Sequence, residues 1–311
     1  MWLKGFISQM LKRTQAAKTV LLVGHGYWGK KILATLRAFS DWQILIFDKA
    51  ENELSLDEFL AKSPNFSHVI IATPEKTHYQ LAKKFLLLNK NVLVEKPLCL
   101  LEEEAKELIN LAKEKKLFLL VDYIFLYDQF LFEVKKTLQA KTIGKIKKVE
   151  IFRSSPGFTK PDLLVSDDLM IHDLYLLRYL FANIKNDLSE LKILNQLDQQ
   201  QLKLEFKLEN NILVESFYSW LESKAGRELT FLGETGSLTW TKDALTERLT
   251  ISQNKQEKNI FSGGNDNDPL FKLLEKFLNE QDIKSFEASY NDYLADVMNL
   301  SQVRNAFYAI N

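Results

Sequence analysis

Residues 19–36, TVLLVGHGYWGKKILATL, constrain this chain more than any other stretch. A β-branched and aliphatic run leads into Gly24, Gly26 and Gly29, and an amphipathic run leads out. Glycine weakens regular structure because it has the most conformational freedom to lose. Three at this spacing, between a strand pattern and a helix pattern, form the G-x-G-x-x-G turn of a dinucleotide-binding unit. There Gly24 permits the tight turn, Gly26 lets a pyrophosphate approach bare backbone, and Gly29 lets helix and strand pack closely. The helix N-terminus that carries Tyr27 and Trp28 offers unpaired N–H donors and a positive partial charge to the anion. The same pattern asks for an acid about 20 residues further on, at the end of the next strand. QILIFD ends in Asp48, 19 positions after Gly29. A carboxylate there binds ribose hydroxyls and repels a 2′-phosphate, so NAD is expected over NADP, although Lys49 beside it pulls the other way.

From Thr19 to Tyr123 short apolar strands alternate with helical patterns: QILIFD, HVIIAT, NVLVEKP and FLLVDY against EKTHYQLAKKFLLLN and LEEEAKELINLAKEKK. That alternation predicts an α/β unit, a Rossmann-type doubly wound parallel sheet with helices on both faces. After Asp122 the texture changes. The helices DQFLFEVKKTLQA and DDLMIHDLYLLRYLF flank long alternating segments over 191–252, which predict a large, mostly antiparallel sheet in an α+β domain. Three regions are expected: 1–18, a leader or a peripheral helix; 19–122, the dinucleotide-binding domain; and 123–311, a substrate and oligomerisation domain whose last helix can pack back on the first.

Acidic and basic residues balance at 41 each, which gives no general pull toward nucleic acid or an anionic membrane. No run of about 18 apolar residues is present, so no transmembrane helix is expected. The sole cysteine, Cys99, allows neither an internal disulfide nor a cysteine-based zinc site, in keeping with a reducing, cytoplasmic setting. No metal is expected.

Two further motifs sit at strand ends: Ile70-Ile71-Ala72-Thr73-Pro74 followed by His78, and Glu95-Lys96-Pro97. Together with GHGYWG, and with FLYDQFLFEVKK, IGKIKKVEIFRSSPG and DDLMIHDLYLLRYL further on, they resemble the Gfo/Idh/MocA oxidoreductases, the glucose–fructose oxidoreductase and inositol dehydrogenase group. The resemblance implies hydride transfer between NAD(P) and a secondary alcohol or ketone of a sugar, cyclitol or nucleotide-linked sugar. It implies a C-terminal sheet whose open face makes a homodimer or homotetramer, and Leu204, Phe206, Leu208, Phe217, Tyr218 and Trp220 offer apolar surface for it. It also maps the catalytic set onto Lys96, Asp168 and His172. Lys96 would donate where oxygen becomes negative. His172 would take or return the hydroxyl proton, and Asp168, one turn earlier, would orient the imidazole or bind a substrate hydroxyl.

The cofactor set is Gly24, Gly26, Tyr27, Trp28, Gly29, Asp48, Ala72, Thr73, Pro74, His78, Glu95 and Lys96. Substrate is expected to meet Lys96, Tyr123, Arg153, Lys160, Asp168 and His172, with Arg153 and Lys160 either meeting a carboxylate or phosphate or standing as surface charges. Asp167 reads as a helix cap and Asp173 as a partner of Arg178. His25 is expected to face solvent or the cofactor, His68 to enter a strand, and Cys99 to pack. Tyr175 stands where many members carry a further Asp, and Met170 where glycine is usual. The alternatives are a non-catalytic NAD-binding sensor or partner subunit, and a biliverdin- or dihydrodiol-type reductase.

Overall fold

Lys18–Val23 forms β1, buried along all but its first residue, as a strand covered on both faces requires. It pairs in parallel with β2 (Trp42–Phe47) on one side and β3 (His68–Ile71) on the other. β4 (Asn91–Val94) and β5 (Leu119–Val121) extend the sheet, giving the order β2-β1-β3-β4-β5. The structure, a computed structural model, describes residues 18–157, 163–181, 188–208, 211–263 and 268–310. Residues 1–17 and Lys160 therefore lie outside the described residues.

The crossovers are helices α1 (Tyr27–Leu36), α2 (Leu56–Lys62), α3 (His78–Leu87) and α4 (Glu102–Lys115). Helix α4 opens on Glu102, Glu103 and Glu104 and closes on Lys113 and Lys115, charges that complement the helix dipole. Helix α2 had no place in the strand–helix alternation described above. Its signal is local: Ser55 accepts from the Glu58 amide while the Glu58 carboxylate accepts from the Ser55 amide, a capping box legible as S-x-x-E.

Helix α5 (Gln129–Gln139) leads to β6 (Ile146–Ser154), and a π turn over Ser166–Met170 runs into α6 (Ile171–Leu180). Strands β7 (Ser189–Leu197), β8 (Gln201–Lys207), β9 (Leu213–Ser219), β10 (Gly226–Gly233), β11 (Ser237–Lys242), β12 (Glu247–Gln253) and β13 (Gln256–Ser262) follow. The sheet order is β13-β12-β11-β10-β6-β9-β8-β7. Every pair is antiparallel except β6–β9. Helices α7 (Pro269–Asn279), α8 (Lys284–Glu287) and α9 (Tyr290–Ile310) close the chain. From α9, Arg304 donates to the Leu100 carbonyl at 2.5 Å, and Tyr290 to that of Leu117 at 3.3 Å.

The alternation of the large sheet sends Leu204, Phe206, Tyr218, Leu229, Phe231 and Trp240 into the core, where Phe130 of α5 stacks on Trp240. This corrects the expected oligomerisation surface. Of the six residues named for it, Leu204, Phe206, Leu208, Tyr218 and Trp220 are buried inside the chain. Phe217 faces outward, stacked on Phe152 at 5.7 Å. Around that pair the open face is ionic: Lys148 meets Glu150 and Glu215, each at 2.8 Å.

Candidate active site

The glycine turn works by exclusion. Gly24 has φ +98°, and a Cβ there would lie 2.3 Å from the Ala72 carbonyl oxygen. A Cβ on Gly29 would lie 2.1 Å from the Gly24 carbonyl oxygen. Neither position admits a side chain, and the turn closes against β3. Gly26 differs: a Cβ there meets nothing within 4 Å. Its missing side chain leaves open space at the N-terminus of α1, beside a cleft of about 860 Å³ lined by Gly24, Gly26, Asp48, Ala72, Thr73 and Pro74 among others. The cleft lies where chain order reverses between β1 and β3, the switch point at which open α/β sheets bind ligands. The carboxylate of Asp48 accepts from the backbone N–H groups of His25 (2.6 Å) and Ala50 (2.8 Å). The first of these bonds holds its pKa below the usual value, so it stands ionised at the rim. The His25 ring turns to Glu51 at 3.0 Å, and Tyr27 is exposed beneath the ammonium of Lys31. These residues fit a dinucleotide: a bare cradle at a helix N-terminus, an acid for ribose, and apolar walls.

His78, expected at the cofactor, is buried. Its Nδ1 lies 2.8 Å from the Pro97 carbonyl and its Nε2 2.8 Å from that of Thr73. Each ring nitrogen thus faces a carbonyl, one on the loop after β3 and one on the loop carrying Lys96; burial keeps the ring neutral, so it donates to one of the two. Trp28 is likewise diverted, its Nε1 donating to Asp122 at 3.0 Å. Burial, and then the Asp122 charge, raise the Glu95 carboxyl well above the usual range. Glu95 therefore faces Asp122 as an acid rather than an open cleft.

Lys96 reaches across the two sheets. Its Nζ donates to both the Asp168 carboxylate and the Asp168 backbone carbonyl, each at 2.8 Å, with both side chains mostly buried. The third N–H remains for a ligand. The other Asp168 oxygen accepts from Trp220 Nε1 at 3.3 Å. Trp220 had been assigned to the surface; an indole N–H buried at a strand end needs an acceptor, and that need was its one signal. His172 does not meet Asp168. Its Nδ1 lies 3.0 Å from the Tyr175 hydroxyl, and Phe125 stands edge-on to its ring at 5.1 Å. The one-turn argument that aimed Asp168 at the imidazole assumed α-helical rotation, but residues 166–170 form a π turn. A wider turn rotates the two side chains apart, and such turns recur at functional sites.

Several expectations are corrected here. Arg153 is buried and forked onto Asp173, with Nε donating to Oδ2 at 3.0 Å and Nη2 to Oδ1. It is not a free cation for substrate, and Asp173 is not the partner of Arg178, which pairs with Asp296. Tyr123 donates its hydroxyl to Asp296 at 2.6 Å and stacks on Tyr175 at 4.2 Å, which takes it out of substrate binding. Asp167 caps nothing ahead of it. It accepts from the Leu164 amide (3.1 Å) and from Arg304 (2.8 Å). Cys99 packs in the core, and burial pushes its thiol up to about 12. His68 is buried on β3 against Ser67 and Asn91.

Residues 18–123 match the model of an oxidoreductase family with an NAD-binding Rossmann fold, GFO_IDH_MocA. Over this domain the chain is similar to the Gfo/Idh/MocA oxidoreductases. An uncharacterised oxidoreductase of Synechocystis sp. is 34% identical over 104 residues, 33% of this chain and 28% of that protein. Inositol 2-dehydrogenase of Rhizobium meliloti is 27% identical over 119 residues, 37% of this chain and 36% of that one. The matched stretch thus spans little more than a quarter of the first of these relatives. Among solved structures, UDP-N-acetylglucosamine 3-dehydrogenase from Acidithiobacillus ferrooxidans superposes with a TM-score of 0.73 at 24% identity, covering 93% of this chain and 97% of its own. This likeness shows that the fold of both halves is shared. Among the described residues no helix is long and apolar enough to cross a membrane.

Proposed function

We propose that this chain is an NAD-dependent oxidoreductase acting on a secondary hydroxyl or ketone of a sugar, cyclitol or nucleotide-linked sugar. The observation that carries the reading is the Lys96–Asp168 bridge, which sets an ammonium from the dinucleotide-binding domain against the π turn of the second, beside His172. Bound NAD would supply hydride chemistry; Gly26, the α1 N-terminus and Asp48 would hold it. Lys96 offers its remaining N–H to the substrate oxygen, with Asp168 and Trp220 fixing the ammonium in place. Buried donors aimed at an oxygen that gains negative charge stabilise it far more than they would in water. The ionised Asp48 supports NAD over NADP, because it faces the position of a 2′-phosphate. The solved 3-ketoreductase of Actinomadura kijaniata, at 16% identity and a TM-score of 0.79, covering 94% of this chain and 98% of its own, was crystallised with NADP. The stacked Phe152–Phe217 pair is where we place self-association, and the single cysteine fits a reducing, cytoplasmic setting.

The test is a panel of polyols, sugars and nucleotide sugars read at the NADH absorbance, with wild type and Lys96→Ala. Turnover on one class, lost in the variant, is the expected result. Saturable NAD binding with no turnover on any of them would favour the sensor. The aromatic flank of the site, Phe125 and Trp220, favours one second reading, a reductase of a planar aromatic substrate, so the panel includes biliverdin.

A further inference from the structure

We infer that Tyr175 fixes His172 as the neutral tautomer with its proton on Nε2, so that His172 serves as a hydrogen-bond donor to the substrate oxygen and leaves proton exchange to Lys96. The tautomer stands on the structure alone; the substrate oxygen rests on the oxidoreductase reading above.

The argument begins with the phenol. Tyr175 is 2% exposed, and its single O–H must find an acceptor or remain buried and unpaired, a costly state. Nδ1 of His172, 3.0 Å away, is its side-chain partner among the described residues. A hydrogen on Nδ1 would therefore leave the phenol hydrogen with nowhere to go. With Nδ1 bare, the phenol donates to it and every group is satisfied. The phenol cannot turn away, because its ring is stacked on Tyr123, itself anchored to Asp296. A bare Nδ1 places the proton of a neutral imidazole on Nε2, and Nε2 has no protein partner among the described residues.

The imidazolium is excluded by what surrounds the ring. The charges of Lys96, Arg153 and Arg227 act on it; Phe125, under both guanidiniums, stands edge-on to it, and Tyr175 is at Nδ1. Two carboxylates lie on the same stretch of chain, but Asp168 is engaged by Lys96 and Trp220, and Asp173 by Arg153. Among the described residues no carboxylate touches the imidazole. Burial, and then these three cations, hold its pKa well below the ordinary 6.5.

The consequence reverses the role expected from the sequence. A histidine whose substrate-side nitrogen already carries hydrogen cannot accept the proton of an alcohol. It donates, beside the Lys96 N–H, to an oxygen that carries or gains negative charge. When that oxygen is protonated, an Nζ–H bond of Lys96 breaks and an O–H bond forms. Lys96 is left as an amine beside Asp168, and His172 keeps the protons it began with. Tyr175 is a positioning residue, acting through His172.

The chain has four histidines, so the tautomer can be read directly. The full chain, labelled with ¹⁵N-histidine and saturated with NAD, is recorded in long-range ¹H–¹⁵N correlation spectra from mildly acid to mildly alkaline pH. His172→Asn assigns the signal. The expected pattern is a bare Nδ1 and a protonated Nε2 throughout, with Tyr175→Phe giving a mixture of tautomers and Tyr175→Asp an imidazolium at neutral pH. A wild-type Nδ1–H tautomer, an imidazolium at pH 7, or an unchanged pattern in Tyr175→Phe would overturn the inference. If the variants do not fold, the wild-type spectrum decides. Should NAD fail to bind, the proposed function falls, while the tautomer is still read in the cofactor-free protein.

Discussion

Gly26→Ala separates cofactor binding from folding. The new methyl meets nothing within 4 Å, and the residue's φ of −70° is one that alanine adopts readily. Exchanging glycine for alanine at a helix N-cap should alter stability by less than about 1 kcal/mol. The same methyl occupies the space through which a pyrophosphate must reach the amides at the start of α1. Losing one hydrogen bond to a charged group costs about 1.5–3 kcal/mol, which corresponds to a Kd raised roughly 10- to 150-fold. Gly29→Ala is the contrasting control. Its Cβ would lie 2.1 Å from the Gly24 carbonyl oxygen, so backbone must move, and destabilisation of about 1–3 kcal/mol is expected. Calorimetric titration with NAD, alongside urea unfolding of wild type and both variants, reads the two effects separately. If Gly26→Ala binds NAD as tightly as wild type, the pyrophosphate does not approach where the cradle is drawn, and the geometric argument for the cofactor fails.

Three further outcomes concern ionisable side chains. Asp173→Asn leaves the Arg153 guanidinium buried without its counter-ion, and a loss of about 3–5 kcal/mol in urea unfolding is expected; a loss below 1 kcal/mol would show that water reaches the pair. His68 is held neutral, with burial and then Lys18 lowering it from 6.5 to about 4. The unfolded ring takes up a proton below 6.5 and the folded ring only near 4, so this contribution is present above 6.5 and disappears as pH falls toward 4. It amounts to roughly 3 kcal/mol, and the pH slope of stability should flatten in His68→Asn, with equal slopes refuting the assignment. Asp48→Asn removes the charge facing a 2′-phosphate and should shift the NAD-to-NADP affinity ratio toward NADP by roughly tenfold, about 1.4 kcal/mol at a partly solvated site. An unchanged ratio would place cofactor choice with Lys49 or Lys76, which line the same cleft.

What could be read in the chain was local. The three glycines, the acid after β2 and the alternation of apolar strands with helices are short-range patterns, because strand and helix periodicity and turn sterics act within a few residues. They gave the parallel sheet and the cofactor cleft. The capping box at Ser55 and Glu58 was as legible, and would have placed α2 beside that cleft. The partners of side chains were not local. Arg153 lies 20 residues from Asp173, Tyr123 lies 173 from Asp296, and Trp220 lies 52 from Asp168. Such pairs exist because burial forces each polar group to find whichever complement the packed fold brings near. The π turn belongs to the same class: four residues imply one shared helix face only until tertiary packing widens the turn, and that widening handed Asp168 to Lys96 and His172 to Tyr175. Short-range patterning along the chain sets which elements form and where a dinucleotide can lie. Which acid meets which base is settled by packing, since that pairing depends on distances in space that no interval along the chain encodes.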